Sequence, residues 1–203
     1  MNRNGTRAIV LAALMAAAGA AQAAPVFSDD FNANATALNA VPAGWTVSGG
    51  GTVDIVGNGF HDFIPGSGAF IDLDGSTSNA GLLSRSFALL GGTGYVASFQ
   101  LAGNHRNTAA ESVRVAFGSV SASYSLSQND GWTGFSLFFT PSSSGIFSID
   151  FQNAGGDNVG MLLDNVSVAA VPEPGSWALL AAGLGLMGLA SRRRLSRPHR
   201  HRY

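Results

Sequence analysis

Apolar and polar positions alternate with a period of two through the middle of the chain: Tyr95, Ala97, Phe99 and Leu101; Val113, Val115 and Phe117; Phe135, Leu137 and Phe139; Phe147, Ile149 and Phe151. Successive residues of a strand face opposite sides of a sheet, so this rhythm predicts half-buried β-strands, and no window sustains a helical period. Turn chemistry separates the runs at Gly49-Gly50-Gly51, Gly91-Gly92-Thr93-Gly94, Gly103-Asn104, Asn129-Asp130-Gly131, Pro141-Ser142-Ser143-Ser144-Gly145 and Gly155-Gly156-Asp157-Asn158. The spacing predicts an all-β fold of about nine or ten strands, an antiparallel β-sandwich best described as a jelly roll.

Both ends depart from this pattern. Arg3 and Arg7 precede an apolar stretch over residues 8–20, and Ala21-Gln22-Ala23 makes an A-x-A site. Together they read as a signal peptide over 1–23, removed by signal peptidase to leave Ala24 first. A first membrane helix is the alternative, but the apolar core is short for one. At the other end Val171-Pro172-Glu173-Pro174 leads into an apolar run over 175–190, followed by Arg192, Arg193 and Arg194. The prolines around Glu173 fix φ and push their neighbours out of the α region, which predicts an extended, accessible recognition site. As a helix the 16-residue run rises about 24 Å against the roughly 30 Å of bilayer hydrocarbon, so one short C-terminal helix holds a membrane weakly or transiently. Arginines behind it mark the cytoplasmic side and place the preceding domain outside. Residues 195–203 read as a basic cytoplasmic tail, and metal binding by His199 and His201 alone is the much weaker reading.

Charge sharpens this division. Between residues 24 and 171 eleven carboxylates stand against three arginines, Arg85, Arg106 and Arg114, for a net charge of −8, although the whole chain sums to −1. Such a domain, with no lysine, repels nucleic acid and anionic lipid and can hold divalent cations. The absence of cysteine removes disulfides, thiol catalysis and a lipoprotein anchor together. The 24–170 segment is long enough for one domain with a real core.

The order of proline motif, apolar run and arginine stop over 171–194 closely resembles the PEP-CTERM sorting domain of Gram-negative exopolysaccharide producers. That resemblance implies an exosortase as processing partner, with transient tethering in the inner membrane. Release to, or attachment at, the cell surface or biofilm matrix would follow.

The middle also carries a resemblance. Asp30-Phe31, Gly44-Trp45, Ser84-Arg85-Ser86-Phe87, the run from Tyr95 to Asn104, Trp132-Thr133-Gly134-Phe135 and Leu163-Asp164-Asn165-Val166 follow in the order seen in galactose-binding-like jelly-roll domains. Leu162, Asp164, Val166 and Val168 share one strand parity, which puts a carboxylate on an apolar face where it needs a metal, an arginine or backbone donors. If the first and last strands pair, Asp29 and Asp30 meet Asp164. The resemblance implies one structural calcium there, though Asn32 stands where the family usually has an acid; the alternative is an aspartate capped by backbone amides. For sugar, such folds use aromatic faces ringed by polar groups, which makes Trp45, Trp132, Tyr124 and the loop residues Asn104, His105 and Arg106 the candidates. Packing of the two tryptophans is the competing reading.

Three function classes remain: a carbohydrate-associating module of the exopolysaccharide matrix, a structural or adhesive matrix protein without a defined sugar, and a secreted glycoside-acting enzyme. The last needs two facing carboxylates at about 5–10 Å. Glu111 is the domain's only glutamate, and no nucleophile motif surrounds His61 or His105, so no catalytic residue is assigned.

Overall fold

The computed structural model describes residues 25–106 and 110–171, together with residues 181, 183–185 and 187. The expected signal peptide, the Pro172-Glu173-Pro174 motif, the arginine stop and the 195–203 tail lie outside the described residues. Ala181, Gly183, Leu184, Gly185 and Met187 are helical. No helix among the described residues is long and apolar enough to cross a membrane.

Residues Ala24–Val171 form one compact unit. Its strands are β1 (Pro25–Asp29), β2 (Thr46–Ser48), β3 (Asp54–Gly57), β4 (Ala69–Asp72), β5 (Leu82–Leu89), β6 (Tyr95–Ala102), β7 (Glu111–Phe117), β8 (Val120–Leu126), β9 (Thr133–Phe139), β10 (Gly145–Asn153) and β11 (Leu162–Ala170). They build two antiparallel sheets: β3-β4-β11-β6-β9, with β1 also on β11, and β2-β5-β10-β7-β8. The all-β antiparallel sandwich is as the alternation predicts. The strands number eleven rather than about ten, because the shortest, β2, has three residues and no room for an alternating signature.

Every alternating run turns its large residues inward. Phe99, Phe117, Phe151, Leu101, Val115 and Ile149 are buried between the sheets, and Phe99 meets Phe151 edge to face at 5.3 Å between ring centres. Burying each such side chain is worth about 1.5–3 kcal/mol, which makes this layer the main source of stability. A smaller cluster of Val56, Phe70, Ala102 and Leu162 lies apart from it, covered by Phe63, Ile64 and Trp132.

The last strand corrects one expectation. β11 pairs with β6 in register up to Asp164 opposite Gln100 and resumes with Ser167 opposite Ser98, so Asn165 and Val166 together oppose one residue. This is a bulge, with Asn165 in the left-handed region at φ 51°. The extra residue switches the parity. Leu163, Val166 and Val168 join the main core, whereas Leu162 belongs to the smaller cluster. Asp164 keeps the parity of Leu162 and does not share a face with Val166 and Val168.

Candidate functional site

The first and last strands do pair, with Asp29 opposite Val166. Asp29, Asp30 and Asp164 therefore gather at one corner, close enough for both Asp29 and Asp30 to act electrostatically on Asp164. Their oxygens are nevertheless engaged by the protein. One oxygen of Asp29 accepts the Phe31 amide at 2.8 Å and the other accepts the indole N–H of Trp45 at 2.8 Å. The first of these bonds holds Phe31, at φ 55°, in a conformation that bulky residues rarely adopt. Asp164 accepts the Asn165 amide at 2.6 Å and the Asn165 side-chain N–H at 3.2 Å. Asp30 is exposed and lies below its ordinary pKa, chiefly through the side chain and amide of Asn32. Among the described residues no three carboxylates or histidines form a group able to hold a metal ion. The corner fits amide-capped aspartates better than a six- to eight-oxygen calcium shell.

Burial pushes the Asp164 carboxyl up to about 6, with Asp30 and Asp29 adding to the rise against the pull of the Asn165 amide. A raised acid binds its proton more tightly folded than unfolded, so its contribution to stability is full below about pH 4 and is lost as pH rises through its folded value. Thermal melts between pH 4 and 7 should show the melting temperature falling with pH, and Asp164→Asn should flatten that slope and raise the pH 7 value. A variant profile that overlays the parent's would remove Asp164 as the cause.

Trp45 does not face solvent. It is 5% exposed, tied to Asp29 and packed against Phe27, Phe31 and Phe151 at 5.7 to 6.2 Å. Its place in a sugar site is therefore withdrawn. Tyr124 is half-buried, with its ring 4.5 Å from that of Phe135 and 5.6 Å from that of Phe99. Trp132 is also half-buried but on the outer face of the first sheet, edge-on to Phe70 at 5.6 Å and donating its N–H to Ser67 at 3.0 Å.

The β6–β7 loop is built around buried polar groups. Asn104 is fully buried and accepts the Arg106 amide at 2.9 Å, while His105 touches the Asp130 carbonyl at 3.3 Å. Arg106 pairs with buried Asp72 at 2.7 Å and donates to the Asn158 carbonyl at 3.0 Å. Burial pushes Asp72 up to about 7 against the pull of that guanidinium. Beside this pair Asp74 is completely buried, its carboxyl facing the backbone amides of Asp157 and Gly156. Desolvation raises its pKa, and the Asp157 and Gly156 amides pull it back only in part.

One group escaped the sequence reading. The loop between β3 and β4 carries Phe60, His61 and Phe63, whose rings follow one another at 4.7 and 6.2 Å, and the Arg106 guanidinium lies 4.5 Å over Phe63. Phe63 and Trp132 cover the same small cluster. A strip of aromatic rings with a cation beside it thus runs across the outer face of the first sheet. The dense Asn58-Gly59-Phe60-His61-Asp62-Phe63 segment was its only sequence signal.

Residues 170–194 match the PEP-CTERM protein-sorting motif. The PEP-CTERM match takes in Val171, Pro172, Glu173, Pro174, Arg192, Arg193 and Arg194, and it implies a surface-directed protein processed by an exosortase. No curated protein matches the chain. Among solved structures, the CBM22-1 xylan-binding domain of Xyn10C from Paenibacillus barcinonensis superposes with a TM-score of 0.55 at 14% identity, covering 76% of this chain and 99% of that one. The tandem CBM22-1-CBM22-2 domain of the same protein gives 0.54 at 16% identity, over 77% of this chain and 49% of that one. The K1 cleaved adhesin domain of Lys-gingipain from Porphyromonas gingivalis W83 gives 0.51 at 16% identity, over 72% and 98%. At these identities the likeness is one of fold.

Proposed function

We propose that this is an exported protein of the cell surface or exopolysaccharide matrix whose β-sandwich associates with carbohydrate without catalysing a reaction on it. The PEP-CTERM match over 170–194 carries the first half of that reading. In it signal peptidase removes 1–23, residues 24–170 fold outside, the 175–190 run tethers the chain transiently in the inner membrane with 195–203 on the cytoplasmic side, and an exosortase cuts near Glu173. The second half is supported by the aromatic strip beside Arg106 on the first sheet, and by a fold shared with a domain named for xylan binding.

A structural role in the matrix is the second reading, favoured by the burial of Trp45 and by the outer face of the second sheet. There Ser84, Ser86, Ser148, Asp150, Ser121 and Ser123 present hydroxyls and a carboxylate without an aromatic ring. Binding of the purified mature protein to exopolysaccharide from the producing cells separates the two. The expected result is saturable binding that Phe63→Ala or Trp132→Ala weakens about tenfold, the equivalent of about 1.4 kcal/mol. Folded protein that binds no polysaccharide would transfer it to the structural class. Calcium and chelator arms test the metal separately. Because Asp29 and Asp164 are already engaged by Trp45, Phe31 and Asn165, the expected effect of chelation is nil.

A further inference from the structure

The two ends of the sandwich differ in kind. At one end the loops 90–94 and 140–144 meet, the Gly92 amide donating to the Pro141 carbonyl and the Gly91 amide to the Ser144 hydroxyl, and Gly118 and Ser119 line a hollow with Thr140 and Ser142. β11 ends here, its last residues Ala169 and Ala170 opposite Val96 and Tyr95, and the Val171 amide donates to the Gly94 carbonyl. β1 begins here as well, with Pro25 opposite Ala169.

None of the domain's eleven carboxylates and three arginines lies in those loops or in residues 169–171. Six of the nine large apolar side chains that the described sandwich exposes are at this end: Val26, Leu90, Val120, Phe138, Ile146 and Val171. Ile146 is 71% exposed, Leu90 64% and Phe138 57%. Phe138 stands on the outer side of the first sheet, Ile146 on the outer side of the second and Leu90 in the loop between them, so they form a collar. Apart from the α-amino group that the mature chain would carry at Ala24, this end of a domain with a net charge of −8 holds no charged side chain.

The chain supplies an occupant. Only Pro172, Glu173 and Pro174 separate Val171 from the apolar run over 175–190, and four residue steps span at most about 14 Å when fully extended. The polar headgroup layer of one leaflet takes up about 5–8 Å of that distance. We propose that, while tethered, the domain rests its uncharged end on the lipid surface, with Leu90, Phe138 and Ile146 entering the headgroup layer and the acidic loops pointing away. The contact is apolar, so it needs no anionic lipid and survives salt. It rests on the tethering reading given above.

The absence of native cysteine makes the test direct. Full-length protein carrying Ile146→Cys or, at the opposite end, Asn129→Cys is labelled with a fluorophore and reconstituted into phosphatidylcholine vesicles that contain a headgroup-nitroxide lipid. Flotation with the vesicles reports tethering, and quenching reports contact. The expected result is flotation of both, with the Ile146 label quenched at least fivefold more than the Asn129 label at low and high salt. Leu90→Ser with Phe138→Ser should reduce that difference while flotation and melting temperature hold. Flotation with equal quenching of the two labels overturns the contact and leaves the tether standing. No flotation removes the tether and the contact with it. An Ile146 label shielded without lipid quenching, in protein that sediments as a dimer, assigns the face to a second copy and overturns the lipid contact.

Discussion

Glu173→Ala leaves the protein exported but uncut, so that in the producing cells the full-length mature form accumulates in the membrane fraction and the surface form disappears. Glu173 is the only charged residue in the sequence from Val171 to Ala190, and a proline flanks it on each side. A protease reading this segment has one carboxylate on which to place a cation. A hydrogen bond to a charged group contributes about 1.5–3 kcal/mol, so its loss slows cleavage by about 10- to 100-fold. Immunoblots of membrane and surface fractions against time read this directly, with Glu173→Asp as the variant that keeps the charge. Normal appearance of the cut form in Glu173→Ala cells would show that the motif is not what the exosortase reads.

The largest effect on stability is expected at Trp45. Trp45→Ala removes a side chain that Phe27, Phe31 and Phe151 surround, and it strips Asp29 of its indole donor. Truncating a buried tryptophan costs about 3–5 kcal/mol, a large share of the 5–15 kcal/mol that holds an ordinary domain folded. Trp45→Phe isolates the polar part: the ring contacts largely persist, and the half-buried Asp29 oxygen left without a partner costs about 1–3 kcal/mol. Urea unfolding should rank the parent above Trp45→Phe and Trp45→Phe above Trp45→Ala. Polysaccharide affinity of folded Trp45→Phe should equal that of the parent, because the ring is buried among its aromatic neighbours. A Trp45→Ala protein as stable as its parent would contradict the packing described, and a selective loss of sugar binding in Trp45→Phe would return Trp45 to the ligand candidates.

The strands were legible in the sequence because a buried face must recur every second residue. Phe147, Ile149 and Phe151 all point inward as that rule requires. Asp164 was misplaced because a bulge adds one residue without changing composition, and the only cue was an asparagine, the non-glycine residue that best tolerates a left-handed backbone. Trp45 and Trp132 look alike in sequence but differ in what lies across from them. Asp29 comes from a strand sixteen residues earlier, and Ser67 comes from a loop sixty-five residues away. The pairing of Arg106 with Asp72 and its position over Phe63 join three separate segments, so no local pattern could announce them. The clustering of acids at Asp29, Asp30 and Asp164 was foreseeable from pairing of the end strands; the occupation of their oxygens was not.

The position of β11 sets a timetable. It is the last strand among the described residues and the one that β1, β4 and β6 all flank. At a synthesis rate of about 5–20 residues per second, the roughly 130 residues between β1 and β11 leave β1 without its partner for about 7–26 seconds. The first sheet therefore stays open until β11 has been made. It closes when the segment next to the sorting motif is made, so completion of the fold and synthesis of that motif coincide.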